Sequence, residues 1–130
     1  MGAVVGEIRL GLLIFLGCQL GDSSAQGQHL AARIAKLRVF EDLDGRTNLD
    51  IFAVKGEILL VSQFTLAADL RRGNRPSFTT ALAPLEAQVL LSEFSQELSS
   101  KGLKVENGVF GAHMEVSSCN MGPATYLLEA

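Results

Sequence analysis

The polar and apolar positions of the chain change period several times, and the clearest run is Ile58-Leu59-Leu60-Val61. It is aliphatic and partly β-branched, follows the turn signal Lys55-Gly56, and ends in Ser62-Gln63-Phe64-Thr65. A short apolar run with those bounds predicts a buried strand. Upstream, residues 3–8 and 10–18 predict two strands hinged near Gly11, and residues 17–21 then turn the chain. Ser23 and Gln26 have capping-box spacing, which starts a helix. Leu30, Ala31, Ile34 and Leu37 give that helix its apolar face. Arg33, Lys36 and Arg38 fall off the stripe, either as a solvated face or as RNA contacts. Residues 42–48, with Asp44-Gly45, predict a turn. A second helix begins with Pro84 at its first position, carries Ala87, Leu90, Leu91, Phe94 and Leu98 on one face, and ends at Lys101-Gly102. Asn107-Gly108 is a tight-turn signal, and residues 114–118 and 124–129 predict two more strands. Strands outnumber helices and do not alternate with them, so the pattern predicts one α+β domain over residues 1–130.

Composition narrows the picture. At 130 residues, 48% hydrophobic and 19% charged, the chain has the make-up of a globular domain with a real core. The net charge of −3 means that the surface as a whole does not attract a polyanion. A nucleic acid would be held by a local basic patch or at its end. Cys18 and Cys119 stand far apart with no C-x-x-C pattern, so two buried reduced thiols are expected and no metal site. Leu16-Gly17-Cys18 faintly resembles a lipoprotein cleavage site, but Glu7 and a lone Arg9 make a poor leading segment. The apolar run is also shorter than the roughly 20 residues a membrane span needs. Gly6 stands where a myristoylation signal has Ser or Thr. The run therefore reads as a core strand, with no membrane association.

Candidate chemistry gathers after the central strand. Ser62, Gln63 and Thr65 place two hydroxyls and an amide at a strand terminus, where ligands of α/β structures often bind. Such groups are costly to bury without partners. Arg71, Arg72 and Arg75 follow within five residues. Together they read either as a small polar pocket beside a basic loop, suited to a small group on a phosphate-bearing carrier, or as a strand and a solvated loop. A Ser or Thr nucleophile needs a base in reach. His29 falls on the first helix, His113 between Phe110 and Met114 reads as structural, and no acid adjoins Ser62 or Thr65, so a conventional triad is not expected. Glu41, Asp42 and Asp44 lack a full calcium-loop pattern and fit turn chemistry instead.

Ser62-Gln63-Phe64-Thr65-Leu66, Gly73-Asn74-Arg75-Pro76-Ser77-Phe78 and Asn120-Met121-Gly122-Pro123-Ala124-Thr125 resemble the D-aminoacyl-tRNA deacylases, with their S-Q-F-T-L and N-x-G-P-x-T motifs. The resemblance runs from about Gly6 to the C-terminus, and the first motif differs from the P-Q-A-T of the animal sister enzymes. It implies a curved, barrel-like β structure flanked by about two helices, working in the cytoplasm as a homodimer without a cofactor. The implied reaction is hydrolysis of the ester in D-aminoacyl-tRNA and in mischarged glycyl-tRNA, as translational proofreading. Ser62, Gln63, Phe64 and Thr65 would line the pocket, with Phe64 on the terminal adenosine and the amides near Phe64 and Thr65 facing the ester oxygen. Thr65 would act as nucleophile or by positioning, with the ribose 2′-hydroxyl assisting water. Gly122-Pro123 would be joined by a cis bond and reach into the partner's site to exclude L-amino acids. Met114 would be a pocket residue or plain core, and Arg75 would meet a phosphate of the tRNA 3′ end. The family has an additional strand before the segment matching residues 1–8, so an unpaired sheet edge and reduced stability are expected here. The alternative reading is a catalytically impaired paralogue that binds RNA or protein.

Overall fold

The computed structural model of the chain describes residues 2–122 and 124–130. A three-stranded parallel sheet has β4 (Glu57–Ser62) at its centre, β1 (Gly11–Leu16) on one side and β5 (Val105–Asn107) on the other. Register runs from Gly11 opposite Glu57 to Leu16 opposite Ser62, and Ile58 faces Val105. Parallel neighbours require crossovers, and each crossover here carries a helix: α1 (Ser24–Lys36) between β1 and β4, and α2 (Pro84–Ser100) between β4 and β5. A separate antiparallel ribbon, β2 (Phe40–Glu41) and β3 (Thr47–Leu49), is irregular at Phe40/Glu41.

The central strand is buried as its sequence requires. Ile58 and Leu60 pack with Ala31 and Ile34 of α1, Phe94 and Leu98 of α2, Ile51 and Leu103, while Val61 is buried on the other face of the strand, near Gly108. The expected capping box at Ser23 and Gln26 forms in full, and Leu37 is the residue on which α1 ends. Pro84 opens α2, and Gly102 follows its last turn with φ +94°, a left-handed conformation that suits glycine. Gly11 is not a hinge between two strands. It is the first residue of β1, and a Cβ there would run into the backbone of Glu57, its carbonyl oxygen first.

Several expectations differ from the structure. Residues 3–8, 114–118 and 124–129 form no strand. Their apolar alternation is real, but a strand exists only where a neighbour completes its ladder. Gly6 instead passes within contact of the carbonyl of Asn107 and of Leu59. The turn expected over residues 42–48 is narrower, because Thr47 and Asn48 already belong to β3. Asn107-Gly108 makes no hairpin: Asn107 ends β5, and Gly108 continues the ladder by donating to Leu60 O at 3.0 Å. The sheet is α+β in setting, but no closed barrel is present among the described residues. There β1 pairs only with β4, and Phe15 is 42% exposed. A wide cleft of about 2670 Å³ opens beside it, walled by residues 2–16 and much of 108–130. Cys18 is half-buried and Cys119 is exposed, not buried as expected, because residues 115–122 around it are exposed throughout. No helix among the described residues is long and apolar enough to cross a membrane.

Candidate active site

The end of β4 is built by backbone geometry. Gln63 N donates to Leu16 O at 2.8 Å, the last rung between the two strands. The chain then coils at once into a 3₁₀ turn, Phe64–Ala67, in which Leu66 N donates to Gln63 O and Ala68 N to Thr65 O. The first amides of any helical turn have no acceptor within it. Here those amides are Phe64 and Thr65, and neither donates to another group among the described residues. The Gln63 side chain donates from Nε2 to Thr65 Oγ1 at 2.5 Å. Phe64 is 60% exposed, and its ring lies 5.0 Å from that of Phe78 at 52°.

The turn rests on Gly17. A Cβ at that position would lie 2.9 Å from Leu66 Cβ and 3.0 Å from Gln63 O, so only glycine allows this approach. The sequence pattern places Gly17 in a reverse turn and gives Phe78 no role of its own. The signals were a glycine ending an apolar run and the aromatic that closes the Gly73–Phe78 match.

The basic loop is a closed hairpin. Asp69 N donates to Ser77 O at 2.7 Å and Ser77 N to Asp69 O at 3.0 Å. Thr80 Oγ1 ties the following segment to Ala67 O, inside the 3₁₀ turn, at 2.9 Å. Asp69 grips Arg71: Nε donates to Oδ1 at 3.0 Å and Nη2 to Oδ2 at 2.9 Å. Those bonds, then one from the Arg71 amide, pull the Asp69 carboxyl down to about 2. Arg72 and Arg75 are exposed and form no ion pair among the described residues. Arg33 and Lys36 are exposed on α1, and Arg38, beyond its end, donates to the backbone and side chain of Asn48.

Met114 and the 120–125 turn lie elsewhere. Met114 Sδ accepts from Val109 N at 3.4 Å and sits over Gly108, where a Cβ would come within 2.8 Å of the sulfur. Asn120 Nδ2 donates to Thr125 Oγ1 at 2.8 Å. Pro123, and with it the expected cis bond, lies outside the described residues. Met114 and Gly122 line the wide cleft together with Leu66 and Ala67, whereas Ser62, Gln63, Phe64, Thr65 and Arg75 do not. His113 is exposed and lines the cleft, and His29 is exposed on α1. Neither histidine, nor any carboxylate, hydrogen-bonds Ser62 or Thr65 among the described residues. Burial, then the charge of Asp22, pushes the Cys18 thiol up.

Comparison with known proteins agrees with the motifs. The D-Tyr-tRNA(Tyr) deacylase family profile matches residues 1–129. A D-aminoacyl-tRNA deacylase of Geobacter sp. (strain M21) is 49% identical over 98% of this chain and 86% of its own. One from Lactobacillus delbrueckii subsp. bulgaricus is 52% identical over 98% of this chain and 88% of its own. Among solved structures, the c-Myc DNA unwinding element binding protein superimposes with a TM-score of 0.87 at 35% identity, covering 95% of this chain and 84% of the other. A probable eukaryotic D-amino acid tRNA deacylase shares the fold, with a TM-score of 0.63 at 14% identity over 78% of this chain and 74% of the other.

Proposed function

We propose a mechanism of catalysis by position for this chain, which belongs to the D-Tyr-tRNA(Tyr) deacylase family and is a hydrolase of D-aminoacyl-tRNA. The observation that carries the mechanism is the state of Thr65: its hydroxyl accepts a hydrogen bond from Gln63 and has no base beside it. A hydroxyl so held is a weak nucleophile. The unpaired amides of Phe64 and Thr65 are suited instead to polarising the ester carbonyl. Water adds to the carbonyl carbon, the negative charge moves to the oxygen facing the amides, and the bond to the ribose oxygen breaks. The proton lost by water passes to the departing ribose oxygen, with the neighbouring 2′-hydroxyl as relay. Removing one such donor from a preorganised site costs about 10²–10³ in rate. The exposed Phe64–Phe78 pair is a stacking surface for the terminal adenosine.

The site is completed in a homodimer. This is supported by the open edge of β1, which pairs only with β4 among the described residues, and by Phe15, 42% exposed beside it. Gly122-Pro123, in the cis form, reaches across to the partner's ester site and excludes L-amino acids by main-chain contact, while Ser62 and Met114 shape the wall. Arg75 receives a phosphate of the acceptor end. Association also closes the curved β structure into a barrel-like whole, as one domain acting in the cytoplasm. Mischarged glycyl-tRNA, which has no side chain to exclude, is a second substrate.

Thr65→Ala tests the mechanism: turnover of D-tyrosyl-tRNA falls only partially and no covalent intermediate is trapped. Abolished chemistry with unchanged binding, together with an acyl-Thr65 species, would establish the nucleophile instead. Pro123→Ala favours a trans bond by about 2–3 kcal/mol relative to proline and impairs D/L selectivity or activity. An unchanged variant would rule out the cis filter.

A further inference from the structure

We infer that Asp69 is a positioning residue for tRNA, fixing Arg71 so that the free edge of its guanidinium meets a phosphate of the acceptor end. This rests on the reading that the basic hairpin faces the tRNA. Asp69 occupies one edge of the guanidinium through both carboxylate oxygens. That leaves the other edge, with its remaining N–H donors, without a partner among the described residues. The Arg71 side chain is 86% exposed and that of Asp69 only 25%, so the carboxylate is the inner partner and the cation the outer one. Asp69 is itself fixed by its two backbone bonds to Ser77. The hairpin base is joined to the ester site through the Phe64–Phe78 contact and the Thr80 bond to Ala67. A chain of short contacts thus runs from the 3₁₀ turn to one arginine in the loop, and none of them reaches Arg72 or Arg75. An unrestrained arginine must be ordered when it grips a phosphate, and a bidentate partner supplies that order beforehand.

The inference makes a prediction of opposite sign to simple electrostatics. Asp69 is an anion facing a polyanion. If charge alone mattered, removing it would tighten tRNA binding. If position matters, removing it weakens binding although the loop becomes more cationic. The test compares wild type, Asp69→Asn, Arg71→Ala and the double variant on two substrates: D-tyrosyl-tRNA, and 3′-D-tyrosyl-adenosine, which carries no phosphate. The expected result is a KM for D-tyrosyl-tRNA raised roughly three- to tenfold in both single variants at low salt, with kcat retained. The double variant is no worse than Arg71→Ala, and kcat/KM for the phosphate-free substrate is unchanged. Both single variants also reduce the dependence of log kcat/KM on log salt by about one counterion. A lowered or unchanged KM in Asp69→Asn overturns the inference. So does an equal loss on the phosphate-free substrate, which would mean that the pair only holds the hairpin shape. A wild type that hydrolyses neither substrate sinks the deacylase reading itself, whereas a wild type that hydrolyses both beside a normal Asp69→Asn sinks only the role of Asp69.

Discussion

Gly17→Ala puts one methyl group under the turn that carries Phe64 and Thr65. In the native geometry that methyl would lie 2.9 Å from Leu66 Cβ and 3.0 Å from Gln63 O. Ordinary carbon–carbon contact is about 3.5–4 Å, so roughly 0.5–1 Å must be found. The Gln63 N to Leu16 O bond of 2.8 Å holds the start of the turn on β1, and Leu66 must therefore take up most of the movement. Overpacking of this kind costs about 1–3 kcal/mol of stability. The larger effect falls on catalysis, because a displacement of about 1 Å at a positioning site can cost about 10²-fold. Measured with D-tyrosyl-tRNA, kcat/KM of Gly17→Ala falls by roughly one to two orders of magnitude while most of the protein stays folded at 25 °C. A variant with a lowered Tm and wild-type kcat/KM would show that the turn's position does not limit the reaction. Unchanged Tm and kcat/KM would refute the close contact itself.

Three other outcomes follow from the packing and charges. Gly27→Ala places its methyl 3.7 Å from Phe94 Cδ1, ordinary contact, inside α1, and gains about 0.5–1 kcal/mol, read as a Tm higher by a few degrees; a lower Tm would contradict the helix–helix geometry. Phe94→Ala empties the centre of the core, where Phe94 is 1% exposed, and costs about 3–5 kcal/mol in urea unfolding; a loss under about 1 kcal/mol would mean that this core is not tightly packed. The Asp69 carboxyl is held at about 2, below its ordinary 3.8, so its contribution to stability is complete above 3.8 and is lost as pH falls through about 2. Titration of the Asp69 side chain by NMR checks this, and a midpoint at 3.8 would mean that Arg71 is not bound.

What could be read from the sequence was local. The strand expected at residues 58–61, which the structure extends by one residue at each end, both helices, the Ser23 capping box and Pro84 at the start of α2 each rest on short-range pattern or capping chemistry. The strands expected at 3–8, 114–118 and 124–129 have the right alternation but no ladder, and pairing is a tertiary fact. The site divides in the same way. Ser62 to Thr65 were identifiable as polar groups closing an apolar strand, and the motif match gave them a chemistry. The roles of Gly17, Phe78 and Asp69 are less legible, because they come from contacts between residues distant in sequence, Gly17 beside Leu66 and Phe64 beside Phe78, and from a hairpin that only the fold closes.

The most direct measurement is deacylation by this chain of matched D- and L-tyrosyl-tRNA at equal concentration. The positional account predicts release of D-tyrosine with L-tyrosyl-tRNA left intact. Binding of tRNA without turnover of either form, or equal release of both, would contradict it.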